Sequence, residues 1–156
     1  MRTWEGWAYS ASVIDGYSRK VIGWVIADHM RTELVVDALV MVLAQRCPAH
    51  GVIFHADRGS QYTGKAFVEF CSNNGVRNSV GRTGICFGNA AAESFWATLK
   101  KEFIHLRPFD IVARLRRETF EYIEGYYNTK RLHSSLGYLT PSEYEEGFET
   151  RRLHVV

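Results

Sequence analysis

The stretch Val52-Ile53-Phe54-His55-Ala56-Asp57-Arg58-Gly59-Ser60-Gln61-Tyr62 decides the fold. Val52 to His55 is short, β-branched and too apolar for a surface strand, so it reads as a central strand covered on both faces. A polar loop opens at Asp57 directly after it. In open α/β sheets the ligand-binding groups lie just past strand ends. Asp57 is therefore the first candidate site residue.

Working outward, Trp7 to Ile14 and Lys20 to Ile26 read as two strands of a hairpin, joined by the turn Asp15-Gly16-Tyr17-Ser18-Arg19. Thr32 is placed to cap a helix from Glu33 to Arg46, apolar on nearly every side and so buried against a sheet. After the DRGS loop, a helix over 64–74 closes at Gly75, and Val76 to Val80 is a further short strand. Gly81 to Gly88 is a glycine-rich loop. Asn89 caps a helix to about Phe103, with Ala92, Phe95, Trp96, Leu99 and Phe103 as its buried stripe. Asp110 caps the last long helix, with Ala113, Phe120, Ile123 and Tyr127 facing inward; Leu132 to Phe148 is a tail with Pro141 and room for a last helical turn. The order predicts an α/β fold: a mixed sheet with helices on its faces. Residues 1–148 form one domain and 149–156 a C-terminal tail.

The chain has 156 residues, 46% hydrophobic and 23% charged, which suits one packed domain. Lys plus Arg is 19 against 17 for Asp plus Glu, a net charge of +2, so any nucleic-acid contact must come from local clustering. No apolar run of about 18 residues suggests a membrane span. Met1-Arg2-Thr3-Trp4-Glu5 lacks a signal-peptide core, and Cys47, Cys71 and Cys86 lack metal-site spacing. These features predict a cytoplasmic protein with reduced thiols.

Glu93 is the second candidate, near the start of a helix whose other face is buried. A carboxylate after a strand and another on a helix can converge on a divalent metal, and two metals so held can activate a nucleophile on a phosphodiester. Position alone equally allows a turn-forming Asp57 and a Glu93 that complements the helix dipole.

Asp57 and Glu93 are separated by 35 residues. With that interval, HADRGSQYTGKAF (55–67), GNAAAESFWATLKKE (88–102) and YYNTKRLHSSLGYLTPSEYEE (126–146) resemble the DDE transposases of bacterial insertion sequences of the IS-three type. More distantly they resemble retroviral integrases. VIDGYSRKVIGW (13–24) is similar to the family's second and third strands. The resemblance implies a ribonuclease-H-like core, a five-stranded mixed sheet with helices on both sides. It implies that Asp57 and Glu93 are catalytic and hold Mg²⁺ or Mn²⁺, and that the partner is DNA, both element ends and target. It also implies nucleoid association during DNA strand cleavage and strand transfer. Lys100, two turns beyond Glu93, matches a basic residue that approaches DNA. Tyr127, Asn128, Arg131, His133 and Tyr138 match a C-terminal signature; Arg131 and His133 either touch DNA or pack the last segment.

Three departures accompany the match. The family's first acid, in a W-x-x-D-x-T strand, would lie upstream of Met1, so a truncated reading frame with the first strand missing or incomplete is expected. Asp15 is only a weak substitute, since it matches the acid of the D-x-x-S-R turn, with Arg19 as its ion-pair partner. Gly88 stands where relatives carry Asp, and the expectation is of a chain without the family's helix-turn-helix region. A free central edge would favour a homodimer or strand-paired oligomer. Two alternatives stay open: an inactive relic with weak non-specific DNA binding, and a ribonuclease-H-like nuclease of RNA–DNA hybrids.

Overall fold

The computed structural model describes residues 1–81 and 90–153, the side chains of 148–153 excepted. The expected cap Asn89, Gly88 and Cys86 lie outside the described residues. In chain order the strands are β1 (Arg2–Thr3), β2 (Gly6–Trp7), β3 (Tyr9–Ile14), β4 (Val21–Ala27), β5 (Val52–Ala56) and β6 (Val76–Val80). The helices are α1 (Thr32–Arg46), α2 (Ser60–Thr63), α3 (Lys65–Asn73), α4 (Ala90–Glu102), α5 (Val112–Tyr122) and α6 (Pro141–Leu153). Hairpin, covering helix, strand and parallel crossover follow the order read from sequence.

β3 and β4 pair antiparallel, Tyr9 opposite Ala27 and Val13 opposite Gly23. β5 and β6 pair parallel, Val52 opposite Val76 and Ala56 opposite Val80. The strands thus form separate two-stranded ladders among the described residues, rather than the one continuous sheet expected. Val52 is 41% and Ile53 60% exposed. β5 is therefore not covered on both faces, and among the described residues no strand flanks it on the side away from β6.

Side chains alternate across β3. Tyr9, Ala11 and Val13 join α1 and α3 in one core, with Leu34, Leu39, Phe67 and Cys71. Ala8 and Ile14 join the opposite core, with Phe95, Leu99, Leu115 and Ile123 from the later helices. Helices thus cover both faces of the hairpin. Each fully buried Phe or Leu adds roughly 1.5–3 kcal/mol. Cys47 is exposed and Cys71 buried, and both are free thiols.

Several helix signals resolve differently in three dimensions. Thr32 is the first residue of α1, not its cap; Arg31 holds that place with extended backbone. The expected 64–74 helix is α3, Lys65–Asn73, and the extended Gly64 divides it from an additional short helix, α2, within the loop. At α5 the cap position is Ile111; Asp110 accepts the Ile111 N–H at 2.9 Å, and Glu5 of the β1–β2 turn accepts the Val112 N–H at 2.8 Å. A distant carboxylate does a local capping job. Leu115, Glu118, Thr119 and Tyr122 form the buried face of α5, while Ala113 and Phe120 are exposed. Glu118 is tolerated inside because Arg114 Nε lies 2.7 Å and Arg107 Nη2 3.1 Å from its carboxylate. A buried, paired glutamate reads as surface in a hydrophobic pattern, which shifts the inferred stripe.

The expected tail contains a 13-residue helix, α6, which runs through the boundary placed at residue 148. Its start was written in Thr140-Pro141-Ser142-Glu143. The Thr140 N–H donates to Glu143 Oε2 at 2.8 Å, and the Glu143 N–H donates to Thr140 Oγ1 at 3.2 Å. This is a reciprocal capping box with Pro at the first helical position.

Candidate active site

One cavity of about 910 Å³ is lined by β3, by β5 and its following Asp57, by the inner face of α1, and by Ala90 to Ser94 of α4. Asp57 and Glu93 both line it, as do Asp15 and His133; Lys100 and Arg131 do not. Two chain positions with 35 residues between them thus reach one concave surface because β5 ends, and α4 begins, at its rim.

Asp57 is exposed just past β5. Its Oδ1 accepts the Gly59 N–H at 2.9 Å, a tight turn that aims the carboxylate. The Arg58 guanidinium donates to the Gly81 carbonyl at 3.0 Å, tying this loop to the end of β6. Tyr62 was read only as part of the loop. It packs against Phe54 and Phe67 with centroids 6.1 and 5.9 Å away and lines the same cavity. Burial, then the nearby Asp57 charge, push its phenol pKa up. The sequence signal for it was a single aromatic within a polar loop.

Glu93 is exposed in the first turn of α4, with Phe95 and Leu99 of the same helix buried. Lys100 is exposed seven residues on, about two turns, so it shares Glu93's side of the helix. Its charge, after burial, lowers the pKa of the Met1 amino group.

Asp15 is spent on its own turn. Its Oδ1 accepts the Tyr17 N–H at 2.9 Å, the Ser18 N–H at 2.7 Å and the Ser18 hydroxyl at 3.0 Å. Among the described residues it forms no ion pair with Arg19, which instead donates its backbone N–H to the Asp15 carbonyl at 3.0 Å. Asp57 and Glu93 have no third partner of ligand type: no group of three or more His, Cys, Asp or Glu that could hold a metal occurs among the described residues.

Arg131 and His133 build a structural cluster beside the cavity. Arg131 Nε and Nη2 donate to Glu102 at 2.9 and 2.8 Å, a bidentate clasp between the C-terminal segment and the end of α4. The guanidinium also lies 5.8 Å from the Tyr127 ring centroid. His133 meets the same ring edge-on at 4.9 Å. Burial pushes the Tyr127 phenol up to about 12. Three further arginines are similarly engaged: Arg107 and Arg114 with Glu118, and Arg116 with the Ile26 carbonyl at 2.9 Å. Lys100, Lys101, Arg117 and Lys130 are exposed and lack ion pairs among the described residues.

This cluster sets an acid sensitivity. Burial, then Arg131, hold the His133 pKa below 6.5. The Arg131 hydrogen bond holds the Glu102 carboxyl below 4.5. In both cases the unfolded chain binds more protons, so stability rises with pH. The His133 contribution is complete above pH 6.5 and is lost as pH falls toward its folded value; the Glu102 contribution is complete above pH 4.5 and is lost below it. Urea unfolding from neutral pH downward should show both losses, and His133→Gln should flatten only the upper one. An unchanged profile in that variant would exclude His133 as the source.

A family model described as "Integrase core domain" matches residues 1–86. The chain belongs to the integrase core domain family. A second model of the same description matches residues 74–141, so together they span the cavity and the C-terminal signature. The chain is 41% identical over 144 residues to the transposase for insertion sequence element IS904 of Lactococcus lactis, covering 92% of this chain and 57% of that protein. It is 42% identical over 145 residues to the transposase InsF for insertion sequence IS3A of Escherichia coli, covering 93% and 50%. The chain spans about half the length of the curated relatives it matches. The catalytic core domain of BIV integrase superposes with a TM-score of 0.67 at 17% identity, covering 96% of this chain and 93% of that one. That likeness bears out the ribonuclease-H-like integrase core fold. No described helix is long and apolar enough to cross a membrane.

Proposed function

We propose that this integrase core is the catalytic portion of a DNA transposase, in which Asp57 and Glu93 hold Mg²⁺ or Mn²⁺ for phosphodiester chemistry. The observation that carries this reading is that the two carboxylates, with 35 residues between them, line one cavity of a chain whose relatives are transposases. Hard oxygen donors and an open, solvent-reached site suit these cations, which keep several waters and use few protein carboxylates. Bound there, the metal lowers the cost of charge on attacking and leaving oxygens. The chain's own residues do the rest. The Gly59 N–H orients Asp57, and buried Phe95 and Leu99 fix the rotation of α4 so that Glu93 faces the cavity. Lys100, Lys101, Arg117 and Lys130 supply the phosphate contacts, while Arg131 and His133 act by holding the C-terminal segment against α4. Four such contacts give a log K versus log salt slope of about −3.6 for duplex DNA.

The test is Mn²⁺ binding by electron paramagnetic resonance, alongside strand cleavage and joining of a pre-cut duplex end in Mn²⁺. Asp57→Asn and Glu93→Gln should each weaken Mn²⁺ binding and abolish any cleavage or joining. Unaltered Mn²⁺ binding in the double variant would overturn the assignment. Metal binding and salt-sensitive DNA binding without cleavage would leave the core a DNA-binding relic. Cleavage of an RNA–DNA hybrid but not of duplex DNA would make it a hybrid nuclease.

A further inference from the structure

We propose that Arg19 binds one backbone phosphate of the DNA strand held beside Glu93, an inference that rests on the transposase reading. Arg19 closes the Asp15 turn and leads into β4. Four described arginines are half-buried: Arg19, Arg46, Arg114 and Arg131. Three of them hold a glutamate: Arg46 reaches Glu145 at 2.6 Å, Arg114 reaches Glu118 at 2.7 Å and Arg131 reaches Glu102 at 2.8 Å. Arg19 alone has neither an ion pair nor a side-chain hydrogen bond among the described residues. A guanidinium keeps its charge and carries its donors in a fixed fork that matches phosphate. Half-buried and without an acceptor, it is set for an anion, and water screens it less than it screens a surface lysine.

Its neighbours place that anion. Arg19 shares a cavity wall with Glu93, Ser94, His133 and Ser135. The hairpin turn, the start of α4 and the C-terminal segment build this part of the wall. The Arg19 charge reaches Tyr127 and His133, where, behind burial and Arg131, it favours loss of the proton. The exposed Ser135 adds a neutral hydroxyl donor on the same wall. The backbone also holds Arg19 in an unusual state. Its φ is 61°, in the left-handed region that side chains other than Asn and Asp avoid. The turn enforces this: the Arg19 N–H donates to the Asp15 carbonyl at 3.0 Å, while Asp15 Oδ1 takes the Tyr17 and Ser18 N–H groups. Glycine would adopt that φ freely, yet arginine stands here, and strain kept in this way concentrates at binding sites. Lys20, the next residue, is already taken by Glu145 at 2.9 Å.

The test reads binding by fluorescence anisotropy in EDTA. The probe is a short labelled duplex with a pre-cut end, carrying one uncharged methylphosphonate at each position near that end in turn. With the unaltered chain, one position should lower affinity about tenfold. Arg19→Gln should bind the all-phosphate duplex about tenfold more weakly and be indifferent to the methylphosphonate at that position, since the two changes remove the same contact. Arg19→Gly should keep Tm or raise it by about 2–4 °C, because glycine relieves the backbone. Arg19→Gln binding as tightly as the unaltered chain, or additive losses at every position, would overturn the proposal. So would a lower Tm in Arg19→Gly, which would make Arg19 a structural residue. No metal is present, so DNA binding without this coupling defeats the Arg19 proposal alone. Unaltered Mn²⁺ binding in the Asp57 and Glu93 double variant defeats the metal site alone, and a chain that binds no duplex defeats both.

Discussion

Replacing Asn128 with leucine should cost roughly 3–5 kcal/mol of stability, about the full penalty for stranding two buried backbone groups. Asn128 is 1% and Val21 2% exposed. The Val21 N–H donates to Asn128 Oδ1 at 3.0 Å, and Asn128 Nδ2 donates back to the Val21 carbonyl at 3.0 Å. The side-chain amide thus pairs with the first residue of β4 as a neighbouring strand residue would. A widened helical turn over Ile123–Tyr127, closed by the Asn128 N–H to the Ile123 carbonyl at 2.9 Å, carries it there. Leucine keeps the branched shape and the number of side-chain heavy atoms, although it is bulkier, but offers neither donor nor acceptor. Urea unfolding should show the loss. Native-state exchange of the Val21 amide should quicken by about 100-fold or more. A stable variant with an unchanged Val21 exchange rate would mean that the pairing contributes packing alone.

The second large effect is at Gly23. A Cβ built there would collide with the Ala38 carbonyl oxygen and stand 2.7 Å from Val42 Cγ2. β4 and α1 touch backbone to backbone at this point, and neither can retreat without opening the core formed by Leu34, Val35 and Leu39. Gly23→Val should therefore destabilise by roughly 3 kcal/mol, the upper range for overpacking. In a chain of this size that lowers Tm by about 6–12 °C. Gly16, where a Cβ would meet nothing, is the control: Gly16→Ala should leave Tm within about 2 °C. Equal losses at the two positions would show that backbone approach is not the cause.

Local patterns made much of this molecule legible. Alternation wrote the β3–β4 hairpin, because one residue of shift would turn every core side chain outward. The apolar run of α1 announced a helix pressed on a sheet, and the interval from Asp57 to Glu93 pointed to the cavity they share. The Thr140–Glu143 capping box was also present in the sequence, hidden behind a segment read as tail. Short-range chemistry of this kind depends on neighbours in the chain, so the chain alone carries it.

The remaining decisions needed distant partners. Glu118 becomes a core residue only when Arg107 and Arg114 reach it. Asp15 fits a metal site by residue type, yet its Oδ1 is consumed by three donors of its own turn. Arg131 has the charge for DNA, but Glu102 takes its fork, since a planar guanidinium gains more from a bidentate carboxylate than from solvent. The exposed edge of β5 is likewise a tertiary fact. Its four leading residues have the composition of a covered strand, but covering is done by whatever lies beside them. The sequence by itself pointed to most of the elements, to the family and to the candidate pair of carboxylates. The tertiary structure decided which charges are already neutralised, because pairing and burial are properties of places in space that no single segment encodes.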